Sequence, residues 1–288
     1  MTIKITTDVT TCIPQDVANK NDIEFIEFYL NINGKPTKEL SEIDREKFMN
    51  ELQDMDPFPT SNFPSPQDYL EAFQKILDKG FDEIFHIGLS PNISGALNSA
   101  KAAAKRLKNA KITIYDSGIM APSQGSMVLM AVKLLKKGKS PNEVMKYLES
   151  IKHNIYGAGL SVNFDILYKS GRVKKSAGLT VISSLMRLKP MFELNFETGV
   201  TGIGGGMGFK GAIKKIVQKI IEKTDESLTY DLIMTDAGAP DLLKKLEEEV
   251  KKVRKIKNVH HWPMVSMMIH TCGKGSVMAT VCPTLDEV

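Results

Sequence analysis

The sequence predicts an α/β protein of two lobes, and three observations carry that reading. In the first half, short apolar strands alternate with amphipathic helices at the spacing of parallel crossovers. The composition shifts at the segment IYGAGLSVN. A chain of 288 residues is also long enough to bury two cores of ordinary size. The boundary is expected near Gly157, which gives lobes over 1–157 and 158–288.

Taken in order, the first strand lies around Ile3 to Ile5 and ends in the polar run Thr6-Thr7-Asp8. A short helix from Pro14 precedes IEFIEFYLNI, whose alternation reads as one strand closed by Asn33-Gly34. Amphipathic helices follow over Asp44 to Asp54 and Pro66 to Lys79. The second is stopped by Gly80, because glycine takes the left-handed turn after a helix without a steric penalty. EIFHIGLS and KITIYDS then read as strands around the helix SGALNSAKAAAKRLK. Of the next two helices, one ends at Gly138 and the other opens on Ser140-Pro141-Asn142-Glu143, a capping box with proline in the first helical position.

Beyond Gly157 the pattern gives a strand through Val162, the segment YKSGRVKKSAG, a strand PMFELNF, a glycine-rich loop and a helix from Gly211. A strand LTYDLIMTDA, a helix from Asp241 and paired strands in VHHWPMVSMMIH complete the chain.

The net charge of +4 is small for this length, and the lysines sit on helices that also carry acids, which argues against nucleic acid as a partner. Cys12, Cys272 and Cys282 show no CxxC spacing, so neither a disulfide framework nor a zinc site is suggested. The opening MTIKITTDVT lacks a basic stretch followed by an apolar one, and no apolar run is long enough to span a bilayer. A cytoplasmic protein is expected.

Several segments are candidates for chemistry. Thr60-Ser61, in DPFPTSNFPSP, places hydroxyls on a segment held between prolines, either as helix caps or as fixed donors to an anion. Ser90 follows a predicted parallel strand and Ser94 opens the next helix, at the edge where open α/β sheets bind ligands and helix amides favour a carboxylate. His270 follows the apolar run VSMMI, read as a strand, and is either a structural histidine or a third polar group beside Thr60 and Ser94. GIGGGMG lacks the endings of a P-loop or a dinucleotide fingerprint, which leaves a nucleotide-binding regulatory role as a weak third reading. GxSxG is absent, although Ser94 with His270 leaves a hydrolase or transferase acting on a small ester or phosphate as the main alternative. Asp8 and Asp116 each end a predicted strand without a recognisable ligand spacing, so no metal or cofactor is assigned.

Together these segments resemble the DegV family of bacterial fatty-acid-binding proteins, of the FakB type that works with fatty acid kinase. ITTDVTTCIPQDV resembles the family's TDSTxDLP opening, PTSNFPSPQDY its TSQPSxxxF, and HIGLSPNISGALNSA its LSSxLSGTxxSA. LYKSGRVKKSAG, RLKPMFEL and IHTCGKGSVMATV resemble its LxKGGRIxxxxA, NIKPIL and HTGPGxLGxxF. The six motifs run in order over nearly the whole chain. Pro91-Asn92 stands where the family usually has Ser-Gly, and Cys272 and Lys274 alter the HTGPG pattern.

The resemblance implies two lobes, the first with a parallel sheet flanked by helices and the second with a mixed sheet enclosing a lipid. It implies a long-chain fatty acid as ligand, with its carboxylate held by Thr60, Ser94 and His270, Ser61 beside them, and Arg172 near the head group or at the kinase surface. It further implies a carrier without enzymatic activity of its own. Such a carrier would deliver its ligand to a separate ATP-binding kinase subunit for acyl-phosphate formation and phospholipid synthesis, with room for transient membrane contact.

Overall fold

Parallel strand pairing organises the first half of the chain, as its alternation of strand and helix requires. The computed structural model describes residues 2–162, 164–171 and 188–287. Seven strands precede the middle of the chain: β1 (Ile3–Asp8), β2 (Ile23–Ile26), β3 (Tyr29–Ile32), β4 (Lys35–Lys38), β5 (Thr60–Asn62), β6 (Glu83–Gly88) and β7 (Lys111–Asp116). Four of them form a parallel sheet in the order β2-β1-β6-β7, and the other three form a small antiparallel sheet in the order β4-β3-β5.

The helices begin where the caps indicate. Ser65 and Asp68 form a capping box before the helix Pro66–Asp78, and Ser140 and Glu143 form another before Pro141–Ile151. Each box satisfies two amides that lack an intrahelical acceptor.

The second half supplies β8 (Tyr156–Leu160), β9 (Leu188–Asn195), β10 (Gly199–Met207), β11 (Thr229–Asp236), β12 (Lys255–Pro263) and β13 (Val277–Pro283). They form one six-stranded sheet in the order β10-β9-β8-β13-β11-β12. Only β11 and β12 pair in parallel, so the sheet is mixed.

Several segments differ from the sequence reading. IEFIEFYLNI is two strands in two sheets, because the chain leaves the parallel sheet after Ile26 and turns at the buried Phe28. The glycine-rich segment is the edge strand β10 rather than a loop, paired with β9 through a register shift between Gly202 and Gly205. VSMMIH is not a strand either. Ser266–Cys272 is a helix of seven residues, five of them buried, so its apolar run shows no exposed face from which a helical period could be read.

Apolar packing falls into three clusters. One lies around the helices Pro66–Asp78 and Ala96–Arg106 and contains Tyr69, Phe73 and Ala100. Another lies in the six-stranded sheet and under the helices Gly208–Lys223 and Pro240–Lys251, with Ile216, Leu232 and Leu246. The largest joins both halves, since Ile5, Phe85 and Val128 belong to the same cluster as Ile233, Met268 and Met278. Among the described residues, no helix is long and apolar enough to cross a membrane.

Candidate functional site

The parallel sheet brings the ends of β1, β6 and β7 side by side, with Gly88 opposite Asp116 and Thr7 opposite Ile87. Beneath this edge lies the buried carboxylate of Asp8. It accepts hydrogen bonds from Tyr69 Oη at 2.9 Å, the Leu89 amide at 2.6 Å and Gln124 Nε2 at 3.1 Å. Burial and the adjacent Asp8 hold the Tyr69 phenol well above its usual pKa, which keeps it a donor. A buried carboxylate satisfied three times is a rigid anchor, and here it fixes the point at which the chain leaves β6. The sequence placed Asp8 at a strand end but showed none of these partners, which come from distant segments. Among the described residues, no cluster of three or more histidine, cysteine, aspartate or glutamate side chains is arranged to hold a metal ion.

The loop from Leu89 carries Ser90 and Ser94. The Ser94 amide donates to the Ser90 carbonyl at 3.2 Å, and the Ser94 hydroxyl accepts from the Ala96 amide at 3.3 Å, in the first turn of the helix Ala96–Arg106. Accepting uses a lone pair of the oxygen, so its proton remains for donation to an anion. The same loop reaches the second sheet. Asn92 Nδ2 donates to the Glu197 carbonyl at 2.6 Å, and a Cβ added at Gly199 would lie 2.5 Å from the Ile93 side chain.

Thr60 and Ser61 lie on β5, paired with β3 so that Asn31 faces Thr60 and Leu30 faces Ser61. The segment between the prolines, read from the sequence as helix caps or fixed donors, is a short strand. Successive strand residues point to opposite faces, which puts the exposed Thr60 on one side and the half-buried Ser61 on the other.

His270 lies in the helix Ser266–Cys272, not at a strand end as expected, and is buried. Its Nε2 is 2.7 Å from the Pro59 carbonyl oxygen, and its ring stands 5.2 Å from that of Phe58. A carbonyl can only accept, so Nε2 carries a proton and cannot act in this arrangement as the base that would activate Ser94.

Residues 58–63 therefore form a bridge. At one end Phe58 and Pro59 meet His270, and at the other Phe63 lies on Gly95, next to Ser94. Thr60 and Ser61 sit between the two ends. Arg172 lies outside the described residues. Two surface depressions, of about 720 Å³ and about 470 Å³, are lined by other residues and include none of Thr60, Ser94 or His270. All three cysteines are buried thiols outside any disulfide; burial pushes the Cys12 thiol up to about 12 and also raises the Cys282 thiol, which leaves both unreactive at neutral pH.

Comparison with known proteins agrees with this architecture. A family model described as an uncharacterised protein of the DegV family matches residues 2–284. The DegV domain-containing protein CPE0304 of Clostridium perfringens is 30% identical over 258 residues, covering 87% of this chain and 89% of that protein. A DegV lipid-binding protein from Thermotoga maritima superposes with a TM-score of 0.89 at 22% identity, covering 98% of this chain and 99% of the other. DegV of Bacillus subtilis, described as a fatty acid binding protein, gives a TM-score of 0.81 at 25% identity, covering 99% and 100%.

Proposed function

The chain belongs to the DegV family, and from that premise we propose that it binds a long-chain fatty acid, with the carboxylate held by Thr60, Ser94 and His270. The observation that carries the reading is the bridge of residues 58–63, which joins the His270 helix to the Ser94 loop at the edge of the parallel sheet. The description of Bacillus subtilis DegV as a fatty acid binding protein supports the ligand class. In this reading Ser61 and Arg172 lie near the head group, and the two lobes divide near Gly157.

The energetics fit a carrier. Burying about fourteen methylenes at roughly 0.8 kcal/mol each gives a gross gain of order 11 kcal/mol, before the costs of ordering and association. A hydroxyl donating to a carboxylate adds about 1.5 to 3 kcal/mol. The tail thus supplies most of the affinity, while the polar residues set which end of the ligand faces out. A carboxylate held at an accessible edge can be presented to a separate ATP-binding kinase, where one of its oxygens attacks the γ-phosphate, ADP leaves and an acyl phosphate forms. We propose that role for this chain, with phospholipid synthesis as the destination of the acyl group.

Native mass spectrometry of protein purified from a bacterial host, followed by denaturation and identification of released molecules, tests the ligand. A stoichiometric fatty acid is expected. Protein that carries none and takes up no added palmitate refutes the reading.

A further inference from the structure

Glu39 lies outside every motif described above, yet it makes one of the tightest links between the small sheet and the second half of the chain. It follows β4 and is only 5% exposed. One carboxylate oxygen accepts the Ser266 amide at 2.7 Å and the other accepts the Met267 amide at 2.9 Å. Both amides open the helix Ser266–Cys272 and lack an intrahelical acceptor. The base of the side chain is itself fixed, because the Glu39 amide donates to the Phe28 carbonyl at 3.0 Å and the Leu40 amide to Glu27 Oε2 at 2.9 Å.

We propose that Glu39 is a positioning residue for carboxylate binding: by gripping the Ser266 and Met267 amides it sets the helix that brings His270 to Pro59, the residue before Thr60. The proposal rests on the fatty-acid reading of the site. The grip needs two acceptor oxygens. A glutamine of the same shape offers one, and turns an NH2 group toward the second amide.

The charged state of Glu39 is poised. Burial pushes its carboxyl up to about 7, against the lowering effect of the Ser266 and Met267 hydrogen bonds and of the Arg45 guanidinium. Arg45 stands at the start of the helix Arg45–Glu51, and the Cys12 thiol, which follows β1, also feels the Glu39 charge. Ionised Glu39 serves both amides, whereas protonated Glu39 serves one fully.

The test compares the full-length protein with Glu39→Gln in two measurements: exchange of the Ser266 and Met267 amides without ligand, and palmitate affinity at several pH values. Loss of one of the two bonds predicts amides that exchange about tenfold faster and palmitate bound about tenfold more weakly than in the native protein. Equal exchange rates overturn the proposal, and so does faster exchange with unchanged affinity at every pH. Should the native protein bind no palmitate, the fatty-acid reading fails, and the exchange rates alone then decide whether Glu39 holds the helix. If Glu39→Gln does not fold, Glu39→Asp carries the test. It keeps the charge with a shorter reach, so partial protection is expected, and behaviour identical to native in both measurements overturns the proposal.

Discussion

The Nε2 of His270 lies 2.7 Å from the carbonyl oxygen of Pro59, which ties the helix Ser266–Cys272 to the residue immediately before Thr60. This bond is structural before any ligand arrives. His270→Ala strips a partner from the Pro59 carbonyl and opens a gap beside Phe58, so a loss of about 1 to 3 kcal/mol in urea denaturation is expected. His270→Gln, which retains an N–H donor of similar reach, is expected to recover part of that stability.

Thr60 and Ser61 point to opposite faces of β5 and cannot serve a single carboxylate equally. Thr60→Val is expected to weaken palmitate binding about tenfold, the worth of one hydrogen bond to a charged group, while Ser61→Ala leaves it within about twofold. Titration calorimetry on both variants checks this, and equal losses would contradict the geometry.

Phe63 covers Gly95 so closely that an added Cβ would come within 2.6 Å of the ring. The ring is 48% exposed and free to swing outward. Gly95→Ala should therefore cost less than about 1 kcal/mol in stability while shifting the bridge beside Ser94. Weaker palmitate binding at nearly native melting temperature is the expected result.

Glu39 also makes an acid–base prediction for the fold itself. Its carboxyl rises from the usual 4.5 to about 7, so between those values the folded protein retains a proton that the unfolded chain releases. The stability contributed by this group is full below that window and is lost as pH rises through it. Denaturation of Glu39→Gln across the same range should lack this slope.

Much of this architecture was legible from the chain alone. The Ser140 box and the alternation of strand and helix around Ile87 and Ile114 reported helices and parallel strands directly, because caps and the spacing of successive elements are readable along the chain. The glycine-rich strand was not legible, since glycine has no side chain with which to display alternation. Gly206 shows why that composition suits a strand here: an added Cβ would lie 2.3 Å from the backbone of Ala212, where the following helix folds back over the sheet. At the candidate site, Thr60, Ser61 and Ser94 could be proposed from their segments. The roles of Asp8 and Glu39 could not, because their partners lie far away in sequence, at Tyr69 and Gln124 for the first and at Ser266 and Met267 for the second.

The largest apolar cluster draws on both halves of the chain, with Ile5 and Phe85 in the same packed group as Ile233 and Met278. Neither half can be dissected away without uncovering a broad oily surface on the other. Fragments severed near Gly157 should aggregate alone and recover solubility only when mixed. The intact chain should melt in a single cooperative transition, with the edge that carries Ser90 and Ser94 dissolving at the same temperature as the sheets that support it.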